Sequence, residues 1–284
     1  MSAYRSIFLE PDWAHTLYYG WREEGRFPAV KVLRKDVGPA SRLLLLGETG
    51  DVDVAGRALR EAGQGPLREA VFHDFTGILD GTSLGGFQNL ARDKWMLNAA
   101  TFVIDLSADP DAILERMSAD TKRRIRKADA AGVAVEVESH PPLARLSRFW
   151  VALREMHIDR GLHPVRTAPL ERMFEDGRAL LLSNESEGSP GGYLMLYRAG
   201  DKAIWLHGVG RGTTPDSGQL LQWRAIEALK QRGVRWYDLG GVPSDPASGI
   251  RRYKQGFGGD FLALGNEFIT TSPLIALARR LISR

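Results

Sequence analysis

The spacing of apolar residues along the chain predicts alternating strands and helices, most clearly after residue 100. The segment 101–106 (TFVIDL) reads as a strand, and Asp109 and Pro110 after it are typical of a helix entry. Further segments show either helical spacing or the alternation of half-buried strands. The predicted helices cover 109–118, 119–131, 143–160, 170–177 and 217–232, and the predicted strands cover 133–137, 180–182, 192–197, 203–208 and 234–239.

The first 98 residues give weaker signals. Short apolar runs predict strands at 29–33 and 42–46, and a short helix is predicted at 54–62, ending at Gly63. Glycine and proline residues after this helix predict turns.

The order of elements favours one fold class. Strands interrupted by a helix late in the chain indicate a mixed α/β sheet rather than a doubly wound parallel one. A chain of 284 residues can hold one large or two small domains. We divide it into a short or partial N-terminal domain, 1–98, and a C-terminal domain, 99–284.

Composition excludes several classes of protein. Hydrophobic residues make up 43% and charged residues 26%, which is ordinary for a globular protein and excludes a disordered or fibrous one. The absence of cysteine removes disulfides, cysteine-ligated zinc and a cysteine nucleophile, and favours the cytosol. The N-terminus does not resemble a signal peptide, and no apolar run approaches the ~20 residues of a membrane span. We expect a cytoplasmic protein.

The net charge of +3 is too small by itself to indicate nucleic acid, but its distribution is uneven. The segment 122–127 (KRRIRK) has five cations in six residues on a predicted helix. One interpretation is a solvated helix face. The other is a platform for phosphate, and the lack of an acidic partner before Asp129 favours it. The cations that helical spacing places on or at the edge of one face are Lys122, Arg123, Arg126 and Lys127.

Glycines frame a second cationic region. The segment 236–242 (WYDLGGV) ends a strand in two glycines, where a ligand or another backbone can approach closely. The segment 249–259 (GIRRYKQGFGG) follows, and we expect it to expose its cations. The alternative is a tight turn before a final hairpin, with cations that only face water. These cations are Arg251, Arg252 and Lys254.

Other chemistry-bearing patterns are weak. The segment 208–212 (GVGRG) lacks the third glycine of a dinucleotide fingerprint. There is no Walker A sequence and no Gly-x-Ser-x-Gly elbow. The six histidines show no metal-ligand spacing, so no metal is expected.

Several segments together resemble the Fem-type aminoacyltransferases. They are 101–106 (TFVIDL), 122–128 (KRRIRKA), 237–241 (YDLGG) and 253–259 (YKQGFGG). Members of this family build the peptide cross-bridges of bacterial peptidoglycan, and relatives extend peptide natural products, including peptide antibiotics. The resemblance covers about residues 99–284.

The resemblance implies both a fold and an activity. The expected fold is a mixed α/β fold of the Gcn5-related N-acetyltransferase (GNAT) type, in tandem with a reduced N-terminal copy. The implied partners are an aminoacyl-tRNA donor and an amine-bearing peptide or peptidoglycan-precursor acceptor, with no DNA. No bound cofactor is implied, because aminoacyl-tRNA is a co-substrate.

The resemblance also suggests roles for residues. Lys254 would lie near the reaction, with Tyr253 in the neighbouring aromatic position. An aminoacyl ester is already reactive, so the protein supplies orientation, a proton route and stabilisation of the oxyanion. We expect a backbone N–H between splayed central strands to stabilise the oxyanion with help from Lys254, whose alternative role is gripping the terminal adenosine phosphate. Asp238 is a candidate base, or a strand-end aspartate that bonds local backbone. The predicted residues for substrate or tRNA phosphate are Lys122, Arg123, Arg126, Lys127, Arg251, Arg252 and Tyr253.

Coenzyme A is disfavoured as the donor. Ordinary GNAT enzymes hold its pyrophosphate on a glycine-rich loop before the long helix. The corresponding segment 211–218 (RGTTPDSG) has Thr214 in place of the first glycine and adds the negative charge of Asp216. An acyl-CoA-dependent N-acyltransferase is the alternative function, and a non-catalytic binding protein with the same fold is a third possibility.

Two further expectations concern the ends of the chain. Residues 1–98 are short for a complete first domain, so a smaller peptide or a peptide-antibiotic intermediate is an alternative acceptor. The segment 272–284 predicts an amphipathic basic helix that docks on the body of the protein. Weak attachment of this helix to a membrane surface is the alternative.

Overall fold

The described part of the chain covers most of both predicted domains. The structure is a computed structural model, and it describes residues 4–10, 21–76, 79, 84, 86–90, 100–162, 165, 167–185, 191–210, 216–243 and 245–282. The boundary predicted at residue 98 and the predicted loop position Thr214 lie outside these residues.

The first sheet combines the N-terminal part of the chain with one late strand. β3 and β4 are parallel, and the other neighbours are antiparallel. The crossover helix α1 (Val52–Ala62) joins β3 to β4, and its N-terminus is capped by the carboxylate of Asp51. In spatial order, the strands are β1 (Arg22–Phe27), β2 (Val30–Val37), β3 (Ala40–Gly47), β4 (Arg68–Asp74), β13 (Glu267–Thr271) and β5 (Gln88–Leu90).

The second sheet also contains one parallel pair, β10 and β11, among antiparallel neighbours. In spatial order, its strands are β12 (Asp260–Ala263), β6 (Ala100–Asp105), β11 (Trp236–Asp238), β10 (Lys202–Val209), β9 (Tyr193–Ala199), β8 (Ala179–Ser183) and β7 (Glu136–Glu138). The remaining helices are α2 (Pro110–Arg116), α3 (Ala119–Ala130), α4 (Leu143–Asp159), α5 (Ala168–Glu175), α6 (Ser217–Gln231), α7 (Gly249–Gln255) and α8 (Pro273–Ile282).

The two sheets share a hydrophobic core. Side chains alternate between the faces of a strand, so the continuous apolar run of β3 is buried on both sides. Leu43 and Leu45 pack on the face that α1 covers. Leu44 and Leu46 belong to the core that also contains Phe149 of α4 and the second-sheet strands β8, β9 and β10. The opposite face of the second sheet packs against α2, α3 and α6.

One late strand links the two halves. β1-β2-β3-β4-β13-β5 and β8-β9-β10-β11-β6-β12 have the same order and the same pattern of parallel and antiparallel neighbours. The position beside the parallel pair is filled by β6 in the second sheet and by β13 in the first, although β13 follows the whole second sheet in sequence. The chain is therefore a tandem of two related sheets, as predicted, and the smaller first sheet is completed by residues 267–271.

Most predicted elements after residue 100 are present with shifted ends. The strands β1, β4, β5, β12 and β13 have no counterpart among the predicted ranges, and β7 is shorter than the predicted strand 133–137. The alternative that 249–259 forms a tight turn before a final hairpin was wrong, because residues Gly249–Gln255 form α7 and the strands that follow, β12 and β13, lie in different sheets. Among the described residues, no helix combines the length and apolar composition needed to cross a membrane.

The position of β13 can be tested by its stability contribution. Phe268 is fully buried against the first sheet, so Phe268→Ala should lower the free energy of unfolding by ~3–5 kcal/mol. Leu274→Ala, at a position of α8 that is 53% exposed, should change it by less than ~0.5 kcal/mol. Urea titrations of both variants would measure this. Equal stabilities would contradict the placement of β13.

Candidate active site

The parallel pair β10–β11 opens after a short ladder. Its paired positions are 202–204 and 236–238, and β10 continues to Val209 while β11 ends at Asp238. In the first sheet, the parallel pair β3–β4 stays paired over seven positions. The second sheet therefore offers backbone on the β11-facing edge of β10 that has no strand partner among the described residues. This is the splay that the sequence predicted between central strands.

A β-bulge in β10 lies at the same place. Trp205 pairs with Leu196 and His207 with Met195, so Leu206 is an extra residue without a partner in β9. Such a bulge interrupts the ladder of hydrogen bonds and redirects the backbone locally. The bulge and the splay together provide backbone groups that are not committed to the sheet ladder.

Lys254 is buried beside this opening. It lies in the last turn of α7 and is only 6% exposed. Its Nζ donates a hydrogen bond to the carbonyl oxygen of Gly241 (3.0 Å) and lies 4.5 Å from the centroid of the Trp205 ring. Burial lowers the pKa of Lys254 to about 8, although the negative charge of Asp238 acts to raise it. The expectation that this lysine is exposed was therefore wrong.

Gly240 lies just beyond the end of β11, where the chain still passes close to the β10 backbone at Trp205. It has a φ of +76°, and a Cβ there would lie 2.7 Å from the carbonyl oxygen of Trp205 and 3.3 Å from Nζ of Lys254. A larger residue would therefore push both groups apart. This is the close backbone approach that the two glycines predicted.

Asp238 ends β11 and is 2% exposed. Its carboxylate accepts hydrogen bonds from the Tyr4 hydroxyl (2.8 Å), the Gly240 N–H (2.8 Å) and the Thr101 hydroxyl. Burial raises the pKa of Asp238, although these donors and Lys254 act in the opposite direction. The bond to Gly240 matches the local structural role that the sequence left open for Asp238, and its role as a base stays a prediction.

The first sheet contains an aspartate at the equivalent place. Asp74 ends β4, is fully buried and accepts hydrogen bonds from the N–H groups of Thr76 (2.8 Å) and Leu79 (3.0 Å). Through these hydrogen bonds, Asp74 stabilises the turn that follows the strand. The comparison indicates that a strand-end aspartate is part of the shared framework, whereas the opening beside Lys254 belongs to the second sheet.

The other predicted residues of α7 have different surroundings. The Tyr253 hydroxyl donates to the carbonyl oxygen of Gly218 (2.9 Å), which ties α7 to the first turn of α6. The Arg251 guanidinium lies 4.9 Å from the centroid of the Phe261 ring, and Arg252 is exposed. The structure therefore brings Lys254 and Asp238 together. Arg252, two residues before Lys254, lies at the surface.

The basic cluster 122–127 is largely paired with acids. The prediction that it lacks an acidic partner before Asp129 was wrong, because Asp120 lies one turn earlier in α3 and Asp129 itself pairs with Arg224. Arg126 is exposed and has no ion pair within the described residues. The ion pairs are Lys122–Glu115 (3.2 Å), Arg123–Asp120 (2.6 Å), Arg124–Asp120 (2.7 Å), Arg124–Asp216 (2.7 Å) and Lys127–Asp216 (3.1 Å).

Asp216 immediately precedes α6, in the left-handed conformation with a φ of +71°. Its carboxylate is held by Arg124 and Lys127 of α3, and the bond from Lys127 is the main cause of its lowered pKa. A negative charge is therefore fixed beside the N-terminus of the long helix.

Three contributors to the site were not among the predicted site residues. Tyr4 and Thr101 are far from Asp238 in sequence; Thr101 lies in a segment of the family resemblance but had no predicted role, and Trp205 had none either. Only the three-dimensional fold brings them together. In the part of the chain that the structure describes, no group of three or more His, Asp or Glu side chains is arranged to hold a metal ion.

Comparisons with known proteins agree with this architecture. The acetyltransferase (GNAT) domain family matches residues 115–255. The crystal structure of FemX gives a TM-score of 0.69 at 16% identity, covering 98% of this chain and 95% of that chain. The chain has a GNAT fold. The resemblance to Fem-type members of the GNAT superfamily is thus confirmed in the fold.

Two further structures with this GNAT fold are similar. The C-terminal domain of a protein described as a lysylphosphatidylglycerol synthetase from Agrobacterium fabrum gives a TM-score of 0.61 at 12% identity, covering 93% of this chain and 88% of that one. L-PGS from Bacillus licheniformis gives 0.53 at 16% identity, with coverages of 90% and 87%. A search of curated proteins gives no match. The family match supports an acyltransferase, and these structures support the fold.

The buried charge of Lys254 predicts a pH-dependent stability difference. The folded pKa of about 8 lies below the ordinary 10.5, so between these pH values the unfolded chain binds more protons and wild-type stability rises with pH. The stability of Lys254→Met relative to wild type should therefore fall by up to ~3 kcal/mol between pH 7 and pH 10.5.

Denaturant titrations of both proteins across this pH range would measure the difference. A difference that stays constant with pH would mean that the Lys254 ammonium is not destabilised by its surroundings.

Proposed function

We propose that the protein is an aminoacyltransferase that moves an amino acid from aminoacyl-tRNA to a free amine of a peptide-type acceptor, forming a peptide bond. The observation that carries the proposal is the buried ammonium of Lys254 at the opening between β10 and β11. A strongly perturbed ionisable group beside uncommitted backbone is typical of a reaction centre. The likeness to FemX and to the protein described as a lysylphosphatidylglycerol synthetase supports the same class of reaction.

The reaction requires little more than placement and charge stabilisation. The neutral acceptor amine attacks the carbonyl carbon of the aminoacyl ester, and a C–N bond forms as the oxygen takes up negative charge. The bond from that carbon to the ribose oxygen then breaks, the carbonyl re-forms, and the amine proton leaves with the ribose oxygen or through solvent. Holding the two reactants together supplies a large part of the rate enhancement.

In this proposal, Lys254 and the bulge in β10 stabilise the oxyanion. A cation in a buried site interacts with a developing negative charge more strongly than one in water. Lys254 is 6% exposed and faces the carbonyl oxygen of Gly241 and the Trp205 ring, which favours this role over gripping a solvated phosphate. The N–H groups around Leu206, outside the regular ladder, are the candidate backbone donors.

Asp238 acts in this proposal mainly by position. Its hydrogen bond from the Gly240 N–H orders the turn that offers the Gly241 carbonyl to Lys254. Its negative charge supports the ammonium form of Lys254. The general-base role remains an alternative assignment for the same carboxylate.

The N-terminus of α6 favours tRNA over coenzyme A as the donor. A pyrophosphate bound there would lie beside the carboxylate of Asp216, whose partners are already Arg124 and Lys127. The match to the acetyltransferase (GNAT) domain family favours the second candidate, an acyl-CoA-dependent N-acyltransferase on the same fold. In the tRNA assignment, no bound cofactor is needed and the donor places the reaction in the cytoplasm.

The proposed acceptor is a peptidoglycan precursor or an intermediate of a peptide natural product such as an antibiotic. In either, the reacting group is a primary amine, which must be neutral to attack. The exposed cations Arg126 and Arg252 are proposed contacts for tRNA phosphate. The proposal assigns them a positioning role, since phosphate contacts fix the register of a nucleic acid.

A transfer assay with charged tRNA tests the reaction and Lys254 together. With radiolabelled aminoacyl-tRNA and amine-bearing peptides or a peptidoglycan precursor, wild type should transfer label in an RNase-sensitive manner. Lys254→Ala should lower kcat by ~10²–10³-fold, because it removes oxyanion stabilisation. Lys230→Ala is the control: this lysine also donates to backbone carbonyls, at 2.9 and 2.8 Å, but outside the site, and the variant should keep wild-type kcat.

Two outcomes would count against this assignment. Label moving from acyl-CoA, with none from charged tRNA, would select the second candidate. Full turnover by Lys254→Ala would remove Lys254 from the mechanism.

The interaction of α3 with tRNA can be tested through salt dependence. Removal of one cation that binds phosphate should reduce the slope of log K against log salt by roughly 0.7–0.9. Arg126→Ala should show this reduction in filter-binding or fluorescence titrations with charged tRNA, because Arg126 is exposed and carries no ion pair within the described residues. Arg160→Ala, at another exposed arginine, is the control. An unchanged slope in Arg126→Ala would show that Arg126 of α3 does not bind the tRNA.

A further inference from the structure

The N-terminal segment 4–10 is packed against the sheet that carries the site. Ile7 is fully buried in the core shared by the two sheets. The Tyr4 ring meets the Trp236 ring edge-on, with 5.9 Å between centroids. At the end of the segment, Glu10 accepts a hydrogen bond from the ammonium of Lys202 at the start of β10. These contacts fix the segment at the beginning of the β10–β11 pair.

The Tyr4 hydroxyl reaches the carboxylate of Asp238 from this segment. It donates to Oδ2 at 2.8 Å, while Oδ1 receives the N–H of Gly240 and the hydroxyl of Thr101. The same tyrosine oxygen accepts the N–H of Ile7 at 3.3 Å. Burial raises the pKa of Tyr4 well above its ordinary value, so the hydroxyl keeps its proton and remains a donor.

A continuous series of contacts then leads to the amine. Asp238 orders the turn at Gly240, and the next carbonyl, that of Gly241, accepts from Nζ of Lys254. If the Tyr4 hydroxyl were missing, Oδ2 would be a buried carboxylate oxygen without that donor, which is costly. The carboxylate would then reorient or take up a proton, and either change disturbs the turn.

We propose that Tyr4 is a positioning residue of the site, which acts by holding the Asp238 carboxylate and thereby the Gly240–Gly241 turn that receives the Lys254 ammonium. The proposal rests on the proposed function for its kinetic readout. It assigns to residue 4, in the N-terminal segment, a role in a site otherwise built from residues 101–254.

The proposal predicts a narrower pH range of activity when the hydroxyl is removed. The Tyr4 hydrogen bond favours the ionised form of Asp238, so its loss raises the pKa of that carboxyl further. The disturbed turn also weakens the contact between the Gly241 carbonyl and the Lys254 ammonium, and the loss of this acceptor lowers the pKa of Lys254 further. The acidic limb of the kcat profile should move to higher pH and the alkaline limb to lower pH. Among the described residues, the Thr101 hydroxyl and the Gly240 N–H also donate to Asp238, and Tyr237 interacts with its charge; all three are retained.

The test compares Tyr4→Phe with Tyr193→Phe. Tyr4→Phe keeps the ring that packs on Trp236 and loses only the hydroxyl. Tyr193→Phe loses a tyrosine hydroxyl that donates to a different carboxylate, that of Glu185, outside the site. We expect kcat of Tyr4→Phe to fall ~10–100-fold, the usual effect of a hydrogen bond to a charged group, with KM for the donor nearly unchanged. Tyr193→Phe should keep the wild-type kcat and pH profile.

A readout without turnover separates this proposal from the proposed function. The rate at which acetic anhydride acylates Lys254, followed by mass spectrometry as a function of pH, reports the ionisation of its amine directly. It should shift to lower pH in Tyr4→Phe and remain unchanged in Tyr193→Phe. Thr101→Val removes another donor to the same carboxylate and should shift it in the same direction.

The outcomes are distinct. A shifted acylation profile with no transfer by wild type would support the positioning role and reject the proposed reaction. A folded Tyr4→Phe with the wild-type acylation profile would overturn the positioning role, whatever its turnover. If Tyr4→Phe does not fold, an unshifted profile in Thr101→Val would overturn it instead.

Discussion

An ammonium group buried at the end of a β-sheet governs the arrangement of this site. The buried ammonium of Lys254 contacts little water. It interacts instead with the Gly241 carbonyl oxygen, the face of the Trp205 indole and the negative charge of Asp238. That carboxylate, Asp238, is itself buried and must be satisfied by donors of its own. The buried cation thus requires a buried anion, and the anion in turn requires hydrogen-bond donors. The series ends at the neutral hydroxyls of Tyr4 and Thr101. A protein maintains such a series of polar contacts in its interior at a cost in stability, which is expected where the charge is functional.

The two sheets show how one framework can be closed or open. Both contain a parallel pair, a crossover helix and a buried aspartate at the end of the second parallel strand. The decisive difference is the length of the parallel ladder, which is seven positions in the first sheet and three in the second. Backbone hydrogen bonds that are satisfied within a ladder are not available to a ligand. The bulge at Leu206 adds to the opening of the second sheet.

Sequence patterns predicted the elements whose periodicity is strong and local. The strands β8, β9 and β10 and the helices α3, α4 and α6 fall in this class, and the Fem-type motifs predicted the GNAT fold. The glycines around α7 resembled a turn, but the inward packing of Tyr253 and Phe257 stabilises a helix of seven residues. The ion pairs of α3 with Asp120 follow helical spacing and were readable from the sequence. The burial of Lys254 was not, because its compensating groups come from distant segments that only strand pairing assembles.

The late position of β13 has a consequence for how the chain is made. The first sheet does not correspond to a contiguous stretch of sequence, since β13 completes it only after the second sheet has been synthesised. During translation, the backbone groups of β4 and β5 that pair with β13 have no strand partner until residue 271 has left the ribosome. A gene fragment that ends between the halves would therefore encode an incomplete first sheet. The two halves therefore cannot be exchanged between proteins as independent modules, although the similar order of their strands suggests an origin by duplication.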